Sequence, residues 1–128
     1  MFVRPRSGWA DGTQTAKLTA SDGASDNLLG LSAAISGDTV AAGADLATVG
    51  ANASQGVAYV FVKPRSGWGD GTQTAELTAS DGASLDRLGA SVAVSGGTVV
   101  AGAPGATVSA NLFQGAAYVF SRAQRHGM

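Results

Sequence analysis

Two tryptophan–arginine pairs are the residues of this sequence best suited to binding a ligand. Trp9 and Trp68 lie 59 residues apart, and each follows an arginine, Arg6 or Arg65, by three positions. Aromatic rings with nearby polar groups can stack on a sugar ring, so the pairs predict a carbohydrate site. The same residues also fit a packing role, in which each tryptophan covers a neighbouring strand and the arginine lies over its ring. Packing is the favoured interpretation, and sugar binding is the alternative.

Catalytic chemistry has little support in the sequence. His126 is the only histidine and lies in the C-terminal tail, so no Ser/His/Asp set can be assembled around it. Asp22 with Asp26, or Asp81 with Asp86, could pair as acid and base. Because Asp22 and Asp81 each precede a glycine, we expect turn residues instead. No phosphate-binding glycine motif is present. We therefore expect a non-enzymatic protein without a cofactor or a metal.

The composition narrows the classes of partner. Only 13% of the residues are charged and the net charge is −1, which argues against a nucleic-acid surface. The chain has no cysteine, and no apolar run approaches the roughly 18 residues of a membrane span. The positive charges near the N-terminus are not followed by an apolar segment, so no signal peptide is expected. With 45% apolar residues, the chain can form a packed core.

The chain consists of two copies of one 59-residue unit. Phe2 matches Phe61, and Tyr59 matches Tyr118, at the same interval and without a gap. By our count about two-thirds of the aligned positions are identical. Lys17 and Glu76 exchange charge at equivalent positions, which favours pairing between alternate units. Such fidelity indicates one supersecondary unit used twice, each copy burying a face on the next.

Each unit predicts four short strands and no helix. Residues 29–45 and 88–104 read as hairpins, because Gly37-Asp38 and Gly96-Gly97 suit a tight primed turn between β-prone runs. Residues 56–62 and 115–121 form the third strand, and residues 9–20 and 68–79 form an outer strand. Four-stranded meanders repeated at a fixed interval are typical of β-propeller blades. The fold class is therefore all-β, with two four-stranded blades per chain.

Three motifs in order resemble the FG-GAP repeat family, whose blades form the head of integrin α chains and occur in many bacterial secreted proteins. The motifs are LGASV at residues 88–92, VAGAP at 100–104 and QGAAYVF at 114–120. The first copy carries Leu29-Gly30 and ends its middle motif in Asp45 instead of proline. The resemblance implies a β-propeller and an extracellular setting. The family's calcium loop is not carried over, because residues 46–52 and 105–111 contain no carboxylate.

The order of segments predicts one module over residues 1–128. It begins with an outer strand at 9–20, continues with a blade at 29–79 and an incomplete blade at 88–121, and ends in a tail at 122–128. The strand over residues 13–19 then has no blade of its own, and the second blade lacks an outer strand. We expect a homo-oligomeric ring, with three or four copies exchanging outer strands. A fragment of a longer propeller, natural or engineered, is the alternative. The expected function is a structural or protein-interaction scaffold; the alternative is a propeller lectin that binds a glycan.

Overall fold

A computed structural model describes residues 11–24 and 27–122. Within these ranges the chain folds into nine strands without a helix. The strands are β1 Leu18–Thr19, β2 Ser32–Ser36, β3 Thr39–Ala44, β4 Val57–Val62, β5 Gly71–Thr72, β6 Ala75–Leu77, β7 Ser91–Ser95, β8 Thr98–Ala103 and β9 Ala116–Ser121. The prediction of an all-β chain is confirmed for these residues.

Two antiparallel sheets correspond to the two repeats. The first sheet has the order β2-β3-β4-β6, and the second has the order β7-β8-β9. Each begins with a tight hairpin, in which Gly37 or Gly96 takes a φ of 55°. Because a two-residue turn of this kind needs positive φ, glycine at these positions fixes the register of the hairpin. The predicted hairpins are therefore confirmed, and the first sheet has the four strands expected of a blade.

The outer strand of the first sheet is shorter than predicted. Residues 68–79 do not form one strand, because β5 and β6 are separated at Thr74. The Thr74 backbone N–H donates to the carbonyl of Val60 at 2.7 Å, and its Oγ1 accepts from the Val62 N–H at 3.2 Å. Thr74 thus satisfies the end of β4 with both backbone and side chain and interrupts the ladder. As a result β6 pairs with β4, whereas β5 is directed away from the first sheet.

The outer strand predicted at residues 9–20 also differs from the structure. Its described part forms a strand only at β1, which pairs in parallel with β5 of its own chain. The Lys17 carbonyl accepts from Gly71 N–H at 3.2 Å, and the Lys17 N–H donates to Asp70 Oδ1 at 2.8 Å. The expectation that residues 13–19 stay unpaired within the chain is therefore wrong. β5 occupies one edge of β1, the edge to which the Lys17 backbone groups point.

Two apolar clusters form the core. The first lies on β3, β4 and the adjoining loop, with Tyr59 and Phe61 as its largest members. The second joins the sheets, because Ala58 of β4 packs with Leu88 and with alanines of the second repeat. Burying a large apolar side chain contributes about 1.5–3 kcal/mol. The many alanines at this contact let the two sheets approach closely, which positions the residues described next.

Candidate functional site

The contact between the two sheets, here called the seam, begins with three backbone hydrogen bonds. The N–H groups of Leu85, Arg87 and Leu88 each donate at 2.9 Å to the carbonyls of residues 53, 54 and 55, respectively. Gly56 and Leu88 continue this pairing as a parallel bridge. The loop before β4 is thus joined to the connector before β7. The seam is therefore an interface between consecutive repeats that is held by backbone hydrogen bonds.

Glycine allows the sheets to touch at the centre of the seam. A Cβ on Gly43 would overlap the carbonyl oxygen of Gly89, and a Cβ on Gly56 would overlap the backbone of Leu88. The oxygen of Gly89 also accepts a hydrogen bond from Ser32 Oγ at 2.8 Å. Gly43 therefore serves close backbone approach, which no residue with a Cβ can provide.

One ion pair crosses the seam. Arg87 Nη2 donates to Asp45 Oδ2 at 3.0 Å, with the aspartate side chain fully buried and the arginine 48% exposed. Asp45 Oδ1 has no hydrogen-bond partner among the described residues. The second repeat has Pro104 and the first has Leu28 at the equivalent positions, so this pair belongs to one interface only. A buried charge held by one partner depends strongly on that partner.

A tyrosine–aspartate hydrogen bond repeats once per unit. Tyr59 Oη donates to Asp22 Oδ1 at 2.7 Å, and Tyr118 Oη donates to Asp81 Oδ1 at 2.8 Å. Burial, followed by the hydrogen bond to Asp81, raises the pKa of Tyr118 to about 12. Burial and Asp22 raise the pKa of Tyr59 as well. Each bond attaches the connector that follows one outer strand to the third strand of the next sheet.

The two sheets differ in what covers the outer edge of the third strand. In the first sheet β6 lies along β4, and Ala58 is 0% exposed. In the second sheet, within the part of the chain that the structure describes, no strand lies along the outer edge of β9. The equivalent residue Ala117 is exposed, and Val119 is 66% exposed. Among the described residues, the β9 edge is therefore left without a neighbouring strand.

Large apolar side chains are exposed in the loop that precedes β9. Leu112 and Phe113 are 76% and 65% exposed, where the first repeat has Ala53 and Ser54 at the seam. In the segment before β2, Leu28, which replaces Arg87 of the seam, is 50% exposed. Exposed apolar patches mark interaction sites. These exposed segments thus carry apolar residues at positions where the seam has small or charged residues.

The first sheet also carries an open apolar pocket of about 370 Å³. It is lined by Leu18, Leu29, Gly30, Ala33, Ala34, Ile35, Val40, Ala42 and Phe61. Leu29 is half-buried, whereas its repeat equivalent Leu88 is 0% exposed because the first sheet covers it. On the second sheet, the equivalent surface packs against the first sheet in the seam. On the first sheet, the same surface forms this open pocket.

Of the two predicted tryptophan–arginine pairs, only Trp68 and Arg65 lie within the described residues. Trp68 is half-buried and packs partly against the first core cluster. Arg65 is exposed in the turn that the Gly67 N–H closes on the Pro64 carbonyl at 2.9 Å. Trp9, Arg6 and also His126 lie outside the described residues. The structure therefore places one tryptophan–arginine pair and leaves the other undescribed.

Sequence reasoning missed the seam as a site, whereas it did predict that the second blade lacks an outer strand. Asp22 and Asp81 were expected to be turn residues, and both lie in turns closed by the N–H of the following glycine at 3.2 Å. Their carboxylates also accept the tyrosine hydroxyls, which was not expected. The available signal was the constant interval from each aspartate to its tyrosine, which is the same in both units. Within residues 11–24 and 27–122, no three acidic or histidine side chains converge on a metal-binding point. Over the same ranges, the structure contains no helix with the length and apolar character to cross a membrane.

Comparison with known proteins gives one family. The family model described as FG-GAP repeat matches residues 13–61 and again residues 72–120. The two matches fall on equivalent stretches of the two units, and together they cover most of the chain. No curated protein sequence matches the chain significantly.

Proposed function

Because the chain belongs to the FG-GAP repeat family, a family of structural and interaction modules, we propose that it is a non-enzymatic β-propeller scaffold that assembles with further copies of itself. The observation that carries the proposal is the β9 edge, which has no neighbouring strand among the described residues. The matching edge on the first sheet carries an outer strand whose sequence recurs at residues 13–19. Residues 72–78 read TQTAELT and residues 13–19 read TQTAKLT. A strand that fits β4 therefore has a near-identical counterpart for β9.

The register of the proposed contact follows from the first sheet. There Leu77 pairs with Ala58, Glu76 with Tyr59 and Ala75 with Val60. By repeat equivalence, Leu18 of a second copy pairs with Ala117, and Lys17 with Tyr118. Neighbouring residues of a strand direct their backbone groups to opposite edges. β5 takes the edge carrying the Lys17 groups, and the edge carrying the Leu18 groups is the one proposed to meet β9.

The exposed apolar segments support the same head-to-tail contact. Across the seam, Arg87 N–H donates to the carbonyl of residue 54. The equivalent bond in the proposed contact joins Leu28 of a second copy to Phe113, so two exposed apolar residues meet. Pro104 takes the place of Asp45 beside them, and the contact needs no buried ion pair. Since one surface differs from the other, the contact is heterologous and generates a ring where the rotation closes.

Three or four copies are expected in the ring. Each chain supplies two blades, so these rings hold about six or eight, within the four to eight blades of known propellers. The mass of the native protein, measured by light scattering and native mass spectrometry, should be a multiple of the chain mass. A protein that remains monomeric at high concentration would overturn the proposal.

Cysteine cross-linking tests the register directly, since the native chain has no cysteine. A Leu18→Cys/Ala117→Cys variant places cysteines on directly opposed residues, about 5.5 Å apart between Cα atoms in a hydrogen-bonded pair. It should form intermolecular disulfides on oxidation. The matched control is Leu18→Cys/Val119→Cys, which moves one cysteine two residues out of register. Equal cross-linking of the two variants would argue against the proposed strand exchange.

Glycan binding is the second candidate function. Trp68 is only half-buried, so part of its ring is accessible, and exposed Arg65 precedes it by three residues. A glycan array of the native protein tests this function, followed by binding to Trp68→Phe and Trp9→Phe variants. Loss of binding in folded variants supports a lectin. An array without hits, or a Trp68→Ala variant that unfolds, supports the packing role.

A further inference from the structure

The outer strand of the first sheet carries a negative charge at an unfavourable position. Glu76 lies directly opposite Tyr59 on β4. Asp22, which accepts the Tyr59 hydroxyl, lies against the same carboxyl group. Burial and the interaction with Asp22 raise the pKa of Glu76. The carboxyl groups of Glu76 and Asp22 therefore repel each other beside Tyr59. The strand β6 still pairs with β4, to which it is linked in the same chain.

The second sheet repeats the tyrosine–aspartate pair without an outer strand beside it. Tyr118 donates to Asp81, and Asp86 lies close enough to act on the tyrosine through its charge. The β9 edge is therefore acidic at the position where an incoming strand must place a side chain opposite Tyr118. Residues 13–19 carry Lys17 at this position, where residues 72–78 carry Glu76. The charge of the candidate strand is thus complementary to the edge.

We propose that Lys17 of a second copy pairs with Asp81 opposite Tyr118 and thereby selects which outer strand the β9 edge accepts. This inference rests on the proposed assembly and adds the reason why one outer strand is accepted and the other is not. Residues 13–19 bring a cation to the acidic edge, whereas residues 72–78 of a second copy would bring a third carboxylate. The lysine-bearing strand is therefore accepted and the glutamate-bearing strand is rejected. This difference enforces the alternation of first and second repeats around the ring.

The test compares charge reversals at the two equivalent positions. The association constant of full-length protein is measured by analytical ultracentrifugation at low and high salt. Lys17→Glu should weaken association about tenfold, since it replaces an attraction by a repulsion at a partly covered site. The loss should shrink at high salt. Glu76→Lys is the matched control: it relieves repulsion within one chain and should raise the melting temperature without weakening association.

A double-mutant cycle separates direct pairing from a general structural effect. Lys17→Ala and Asp81→Asn should each weaken association, and the double variant should lose clearly less than the product of the two fold-changes. Lys17→Ala with Asp38→Asn, which alters an exposed charge at the β2–β3 turn, should be multiplicative. A monomeric native protein would overturn the assembly and this inference together. A native oligomer that Lys17→Glu leaves intact, or a Lys17–Asp81 cycle without coupling, would overturn this inference alone.

Discussion

Replacing Gly43 by alanine should separate the two sheets, and the repeat supplies its own control. The added Cβ would overlap the carbonyl oxygen of Gly89 and lie 2.6 Å from Ser32 Oγ. A main-chain oxygen cannot move aside by a rotamer change, so the seam must open. Overpacking of this kind costs about 1–3 kcal/mol, and the Ser32–Gly89 hydrogen bond adds about 1 kcal/mol. We expect a loss of about 3 kcal/mol in the free energy of unfolding, or about 10 °C in melting temperature.

Gly102 is the equivalent glycine on β8. Its Cβ would lie 2.6 Å from Ser91 Oγ, the same serine contact as at Gly43, but no backbone atom of another sheet is near it among the described residues. Gly102→Ala therefore has the same local effects as Gly43→Ala but lacks the overlap across the seam. The shared effects include a gain of about 0.5–1 kcal/mol in the free energy of unfolding, because a glycine is removed from a strand. The difference between the two variants isolates the contact across the seam.

Urea unfolding of both variants at concentrations where the chain is monomeric gives the two free energies. Gly43→Ala should be clearly less stable than Gly102→Ala. Equal stability would refute the claim that the sheets meet backbone to backbone at this point. For association at higher concentration, Gly102→Ala should be the more damaging of the two substitutions. By repeat equivalence, Gly102 faces Gly30 of a second copy in the proposed ring. Gly102→Ala should then fold but fail to assemble.

Four further substitutions test the charges and hydroxyls of the site. Because the pKa of Tyr118 is raised in the folded protein, its contribution is complete below pH 10 and is lost as the pH rises through about 12. Tyr118→Phe should therefore reduce the loss in free energy of unfolding as the pH is raised above 10, and Tyr59→Phe should do the same. Arg87→Ala should cost about 2 kcal/mol in urea unfolding, since it leaves the buried Asp45 carboxylate unpaired. Glu76→Gln should raise the melting temperature at neutral pH but not at pH 3, because the raised pKa means that ionised Glu76 opposes folding.

The sequence predicted the strands where the signal was local. Gly37 and Gly96 supply positive φ within two residues of the strands they join, so both hairpins were correctly placed. The outer strands were predicted too long, because periodicity cannot show that Thr74 satisfies the end of β4 and breaks the ladder. The pairing of β1 with β5 depends on Asp70, which is distant in sequence from its partner Lys17. Contacts of this range leave no periodic signal.

By itself, the order of residues determined the two-unit organisation, the hairpins and the repeat family. Each of these depends on spacing or on backbone freedom at single positions. Only the folded arrangement decided that Gly43 lies against Gly89, that Asp22 reaches Tyr59, and that β1 pairs with β5. These features arise where separate segments meet, and their energies depend on distances that no single segment fixes.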